Sequence, residues 1–407
     1  MLIVQKYGGT SVASPAHIRR VAERVAATKH QGHQPIVIVS AMAGETNRLV
    51  ELAQAFGARH GREVDVLLAS GEQVTASLMA LALQSLGVAA RSFLGYQARM
   101  ITDSSHSRAR IRQLDASTLL QVVDQGTIPV IAGFQGVDQA GNITTLGRGG
   151  SDTSAVAVAA AVKADLCEIY TDVDGVYTSD PRVCPDARKI SRITYDEMME
   201  LASLGAKVLQ IRSVELANAH GVKLHVRNSH NQEEGTMVVA DNPHGEPDDL
   251  ERVVVTGVSL DLDQARLTLI GAPSKPGLQS AVFGPLSEAG IVVDVIVQNP
   301  PIDGRTNLSF TLSESDLPTA NQTLENLAKQ LSAQRVFSDS GLAKVSIVGV
   351  GMRSHSGVAH RMFELLAASG IEILMISTSE IKVSCVIARE HGENAARALH
   401  AGFGLAG

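Results

Sequence analysis

The fold of this chain is constrained most by a change of rhythm near residue 230, where strand-helix alternation gives way to a unit that the chain repeats. Before that point, residues 2–6, 35–40, 89–94, 128–134, 166–171 and 222–227 are short β-branched runs that read as strands. Between them, 16–28, 72–86, 118–125, 154–163, 195–203 and 207–219 are amphipathic or alanine-rich and read as helices. This rhythm implies a largely parallel sheet covered on both faces. A turn-rich hairpin at 136–145 interrupts it, and the stretch 229–251, with Asn242-Pro243-His244-Gly245 as a breaker, marks a domain boundary.

Beyond the boundary, a strand 265–271, a turn at Lys275-Pro276-Gly277, a helix ending at Ala289-Gly290 and a strand 291–297 form one unit. A strand 343–349, a turn at 354–357, a helix ending at Ser369-Gly370 and a strand 371–377 form the second. Corresponding glycines are 78 and 80 residues apart, so the unit is duplicated with a small difference in length. Each continues with a strand (306–312, 381–388) and a helix (320–331, 393–399), a β-α-β-β-α-β order. Neither repeat carries a paired catalytic constellation, which suits a binding module better than a second active site.

Function classes narrow with composition. The 407 residues are 44% hydrophobic and 19% charged, an ordinary globular balance. A net charge of −7, no Trp and 3% aromatic residues leave neither the basic footprint nor the stacking platforms of a nucleic-acid binder. No charged and apolar leader opens the sequence, and no apolar run reaches the roughly 18 residues of a membrane span, so a cytoplasmic protein is expected. Cys167, Cys184 and Cys385 are odd in number and far apart, which predicts reduced, buried thiols. His225 and His230 have no acidic or cysteine partner at metal-site spacing.

Two glycine loops carry the chemistry. Gly147-Arg148-Gly149-Gly150-Ser151-Asp152 precedes an alanine-rich helix, offering bare backbone N–H groups, a helix N-terminus and an arginine fork to an anion. Asp152 could position a magnesium ion or a lysine. Gly8-Gly9-Thr10-Ser11 follows the first strand two residues after Lys6, whose compact charge could neutralise phosphate groups. Neither loop has the P-loop or dinucleotide-binding spacing. The acids of Asp172-Val173-Asp174-Gly175 end a strand and so face the crevice outside a parallel sheet; the calcium-loop pattern fails there for want of a bidentate glutamate. Ser40 to Asn47 and Ser70-Gly71-Glu72 read as small-residue loops in which Thr46 could donate to a carboxylate and Glu72 accept from an ammonium.

Taken together, residues 6–11, 40–42, 70–72, 130–136, 145–152 and 170–177 resemble the aspartokinases of the amino acid kinase family over essentially the whole chain. The resemblance implies a three-layer αβα amino acid kinase domain of the carbamate kinase-like type, with a mostly parallel sheet, at 1–230. A linker and first strand region at 231–264 and two ferredoxin-like βαββαβ ACT domains at 265–342 and 343–407 would follow. It implies catalytic roles for Lys6 and Asp152. ATP would meet Lys6, Gly8, Gly9, Thr10 and Ser40, and also Thr171, Asp172, Tyr177, Asp180, Arg182, Lys207 and Val208. Aspartate would meet Thr46, Glu72, Arg148, Gly149, Gly150 and Ser151. Ser274, Asp294, Gln298, Asn299, Thr378, Ser379 and Glu380 would contact an effector, lysine or threonine or both. ATP with Mg2+ is the implied cofactor set, with no protein ligand of the metal assigned, and a homodimer or a heterotetramer with a shorter chain is the implied assembly. A kinase of glutamate, N-acetylglutamate or UMP on the same fold, and a catalytically silent amino-acid sensor, stay open as alternatives.

Overall fold

The structure is a computed structural model that describes residues 1–203, 208–240, 254–350, 352 and 357–407. Lys207, the breaker at 242–245 and the turn at 354–356 lie outside the described residues. The chain divides into two compact units, residues 1–177 with 189–250, and residues 178–188 with 251–407.

The first unit is built on strands β1 (Leu2–Tyr7), β2 (Gln34–Val39), β3 (Ala90–Phe93), β4 (Met100–Thr102), β5 (Ile111–Leu114), β6 (Ile128–Ala132), β7 (Gln135–Val137) and β8 (Ile143–Thr145). They are followed by β9 (Leu166–Thr171), β10 (Arg192–Thr194), β11 (Leu224–Asn228) and β12 (Thr236–Val239). Its helices are α1 (Pro15–His30), α2 (Glu45–Gln54), α3 (Arg62–Ser85), α4 (Ser117–Asp124), α5 (Gly150–Val162), α6 (Tyr195–Ser203) and α7 (Ile211–His220). The main sheet runs β10-β12-β11-β9-β1-β2-β6-β3, parallel except between β11 and β12. A smaller sheet, β5-β4-β7-β8, includes the expected hairpin.

Strand alternation explains the layers. Tyr7, Val37 and Val39 point to one face and pack with Ile18, Met79 and Leu83 of α1 and α3. Lys6, one residue from Tyr7, therefore points to the opposite face, where its ammonium meets Asp152 of α5.

Two local readings change. The stretch 70–72 is not a loop but the interior of α3, which begins at Arg62 rather than at residue 72. Its small residues mark close packing, since a Cβ on Gly71 would come within 2.9 Å of the Ala41 Cβ. Similarly, only the first part of 40–47 is a loop, because α2 begins at Glu45. By length and composition α3 could cross a membrane, a stretch the sequence reading does not find. Half of that stretch is buried inside the unit, and α3 buries Asp65 and Glu72 as well as apolar residues, so it is a core helix.

The second unit contains β13 (Val254–Pro273), α8 (Leu278–Glu288), β14 (Val293–Gln298), β15 (Arg305–Leu312), α9 (Leu317–Gln330) and β16 (Arg335–Val350). It continues with α10 (Gly357–Ala368), β17 (Met375–Thr378), β18 (Lys382–Ala388) and α11 (Gly392–Gly402). One six-stranded sheet, β14-β15-β13-β16-β18-β17, serves both repeats. The long strands β13 and β16 are shared. Leu267 and Leu269 pair with Ser338 and Val336 in the first repeat, whereas Val258 and Leu260 pair with Ile347 and Val345 in the second. The second repeat thus takes its fourth and last strand from the segment that precedes the first. Each repeat has its own core, around Leu267, Phe310 and Leu324 in one and Val345, Met362 and Leu399 in the other.

Residues 178–188 belong to this unit although they lie within the first unit's stretch of sequence. Cys184 joins the core of the second repeat. The Thr178 hydroxyl donates to the Leu405 carbonyl at 3.1 Å and lies 2.9 Å from Nε2 of His400. All three cysteines are free and buried, and burial raises each thiol, that of Cys385 to about 12.

Candidate active site

At the carboxyl ends of β1, β2 and β6 the first unit has an open-mouthed cavity of about 350 Å³. This is where a doubly wound sheet holds ligands. Its wall combines Gly9, the loop from Ser40 to Gly44, Thr46 and Asn47 of α2, Glu72 of α3, Phe134, and the run Gly147 to Asp152. Of the expected aspartate positions, Thr46, Glu72, Arg148, Gly149, Gly150 and Ser151 all line it.

The second glycine loop is half loop and half helix. Gly149 is the N-cap of α5 in the left-handed region, φ 70°, and a Cβ there would come within 1.9 Å of the Gln210 side chain. Gly150, Ser151 and Asp152 form the first turn of α5, a buried helix whose N-terminus faces the cavity and favours an anion. Lys6 stands 2.6 Å from Asp152, with both side chains nearly buried. A buried cation and carboxylate hold each other in one geometry. The pair therefore fixes the last residue of the cavity run against the end of β1.

Glu72 is the other buried charge. Its Oε1 accepts from the Ala41 N–H at 3.0 Å, while Oε2 has no donor among the described residues. Burial is the main cause that pushes this carboxyl up to about 7, against the partly compensating backbone hydrogen bond. A half-satisfied carboxylate on a cavity wall is an acceptor in search of a cationic donor.

Phe134 escapes the sequence reading although it lies inside a quoted motif. It lines the cavity with φ 67°, rare for an aromatic residue, and is held by the Ser154 hydroxyl at 3.0 Å from its N–H and by the Leu146 N–H on its carbonyl. Only the Gly133 before it hints at a tight turn.

The expected nucleotide positions fall in several places. The Gly8 N–H donates to the Tyr170 carbonyl, Gly9 and Ser40 line the cavity, and Thr10 is exposed. Thr171 and Asp172 leave the end of β9, and Tyr177 bridges to Lys189. Their loop is braced from below. The Asp174 carboxylate accepts from Asn228 and Asn231, both at 2.7 Å, and these two hydrogen bonds hold it below the usual range. Arg24 donates to the carbonyls of the same two asparagines and lies over the Tyr170 ring, 5.0 Å from its centroid. Val208 is described but Lys207 is not. Asp180 and Arg182 lie on the 178–188 segment, where they pair with each other at 2.6 Å.

In the second unit, Asp294, Gln298 and Asn299 lie on or just past edge strand β14. Thr378, Ser379 and Glu380 lie at the end of β17, the opposite edge, and Ser274 follows β13. Asp294 is engaged by the buried ammonium of Lys344, and Gln298 accepts from Gln279 at 2.7 Å.

His225 has an acidic neighbour that sequence spacing does not reveal, since Glu168 of β9 stands 3.9 Å away. Burial lowers the imidazole. Among the described residues no group of three or more His, Cys, Asp or Glu could hold a metal ion. A magnesium ion arriving with a nucleotide fits such a site only through phosphate oxygens and water, with at most one or two carboxylates nearby.

A doubly wound sheet whose cavity carries a helix N-terminus suited to anions beside a buried Lys-Asp pair fits the class of small-molecule kinases. A profile of the amino acid kinase family matches residues 1–228, and ACT domain profiles match residues 266–329 and 345–403. The chain belongs to the amino acid kinase family, with two ACT domains after the kinase domain. It is 51% identical over 405 residues to an aspartate kinase of Stutzerimonas stutzeri, covering 99% of this chain and 97% of that one. The crystal structure of E. coli aspartokinase III in complex with aspartate and ADP matches with a TM-score of 0.81 at 28% identity, covering 99% of both chains. The complex of that enzyme with lysine and aspartate matches at 0.78 and 27%, again over 99% of both. Within the family this chain stands with the aspartokinases, ATP-dependent phosphotransferases with a carboxyl group as acceptor.

Proposed function

We propose that the chain transfers the γ-phosphoryl group of ATP to the side-chain carboxylate of L-aspartate, giving 4-phospho-L-aspartate and ADP. The observation that carries this reading is the cavity's pairing of a half-satisfied buried carboxylate, Glu72, with an arginine and a helix N-terminus. An α-amino acid with a second carboxylate presents the complementary charges: an ammonium for Glu72 and a carboxylate for Arg148 and the Gly149–Ser151 turn. An acylated amine would set a carbonyl against Glu72, which disfavours N-acetylglutamate as acceptor.

Chemically the step is simple. The acceptor carboxylate is ionised at neutral pH, so no general base is required. Its oxygen attacks the γ-phosphorus, the bond to the β,γ-bridging oxygen breaks, and ADP leaves with the electron pair. Lys6 lies beside Asp152 at the head of α5 and, with Gly8, Gly9 and Thr10, would neutralise and hold the phosphates. Asp152 fixes the Lys6 ammonium there. Thr171, Asp172, Tyr177 and Val208 are our candidates for the nucleoside side. Magnesium, bound through the phosphates, would add charge neutralisation. Positioning and charge are the principal catalytic terms.

On this reading the reaction opens lysine, threonine and methionine (diaminopimelate) biosynthesis in the cytoplasm. The ACT repeats would bind lysine, threonine or both near Ser274, Asp294, Gln298, Asn299 and the 378–380 turn, in a homodimer or a heterotetramer. Incubation with ATP, Mg2+, L-aspartate and hydroxylamine tests the core of it. The acyl phosphate should be trapped as aspartyl hydroxamate in step with ADP; ADP release without hydroxamate would refute acyl-phosphate formation.

A further inference from the structure

Two groups facing the acceptor in the cavity, the Gly147–Arg148 turn and Glu72, come from distant parts of the sequence, yet both are tied to α3. Glu72 lies on that helix. Seven residues earlier, two turns and about 10 Å along the same face, Asp65 is wholly buried. None of the steps above uses it.

Its carboxylate gathers donors from two segments. From the end of β8 come the Thr145 N–H at 3.0 Å and the Thr145 hydroxyl at 2.6 Å. From the loop before β5 come the Ser107 N–H at 3.0 Å and Nδ1 of His106 at 2.8 Å. These segments flank the turn at Gly147, which leaves β8 two residues after Thr145. The Ser107 carbonyl stands 3.0 Å from where a Gly147 Cβ would project, and Ala109 donates to the Thr145 carbonyl at 2.9 Å. Arg212 closes the arrangement by donating to the Leu146 and Ala109 carbonyls, both at 2.8 Å. Packing alone would be served by an apolar side chain at position 65. An acceptor-only carboxylate buried among N–H and O–H donors instead fixes the backbone that supplies them.

We propose that Asp65 is a positioning residue for the phosphoryl acceptor. It ties the turn that carries Arg148 to the helix that carries Glu72, and so sets the separation between the carboxylate fork and the ammonium acceptor. The inference rests on the roles given to Arg148 and Glu72 above.

Steady-state kinetics of Asp65→Asn, Arg148→Ala and the double variant, each with a thermal melt, test it. Asp65→Asn keeps the volume but turns one acceptor into a donor facing N–H groups. The aspartate KM should rise about tenfold while the ATP KM changes by less than about twofold. In the double variant the aspartate KM should be no higher than in Arg148→Ala alone, because both changes disable one unit. An unchanged aspartate KM in Asp65→Asn, a parallel rise in both KM values, or full additivity with Arg148→Ala overturns the proposal. An unchanged aspartate KM in Arg148→Ala removes the site reading itself, and the proposal with it; a large effect there beside none for Asp65→Asn sinks the proposal alone. Should Asp65→Asn fail to fold, Thr145→Val, which deletes only the hydroxyl on the same carboxylate, must raise the aspartate KM selectively by about fivefold. No selective rise in that variant overturns the proposal.

Discussion

Glu72 shows how one residue can report on both stability and substrate. In the unfolded chain its carboxyl titrates near 4.3, whereas in the folded protein burial raises it to about 7. Between those values the folded state holds a proton that the unfolded state has released, so stability falls as pH rises through this window and levels off above it. The loss is on the order of 3 to 4 kcal/mol. Denaturant unfolding of Glu72→Gln should lack that slope, leaving the variant more stable than wild type at pH 8 and equal to it near pH 4. Kinetically, kcat/KM for aspartate should rise with pH to a plateau above about 7 in wild type and be lower and flat in this range in Glu72→Gln. The residue's identity as a carboxylate near a cavity is legible in the sequence, but its burial is not. Burial comes from Ala41 packing on Gly71, a contact between segments thirty residues apart.

At the scale of elements, strands and the helices behind them are legible because their periods differ, and all six expected strands of the kinase domain form within one or two residues of their expected limits. What misleads is small residues. Ser70-Gly71 inside α3 looks like a break, although Gly71 serves close approach to Ala41, whereas Gly44, left-handed at φ 81° with open space around it, is a true turn that caps α2 and so hides the start of that helix at Glu45. At Gly149 the same residue type marks a turn as well. Gly149→Ala would force a Cβ into the left-handed region and into Gln210, so unfolding should show a loss of about 1 to 2 kcal/mol or more. The aspartate KM should rise with it, since the N-terminus of α5 shifts.

For the whole molecule, the duplicated repeat is legible from its glycine spacing, whereas the sharing of β13 and β16 between the repeats is not, because register is set by pairing partners that sequence does not name. Nor does sequence reveal that residues 178–188 pack with the second unit. A chain ending at residue 250 leaves that segment without the core in which Cys184 sits. One thiol, Cys184, should then react with a disulfide reagent about a hundredfold faster than any in the full chain, if its packing is worth about 3 kcal/mol. Equal reactivity in the two chains would show that the segment packs without that core.

On the proposed reading, the cavity recognises a free amino acid by the opposite charges of Glu72 and Arg148 on its wall. ADP release at saturating ATP with L-aspartate, N-acetyl-L-aspartate and succinate measures this directly, since the last two lack the ammonium that Glu72 would accept. L-aspartate should exceed both in kcat/KM by at least about a hundredfold. Turnover of succinate or N-acetyl-L-aspartate within about tenfold of L-aspartate would contradict it.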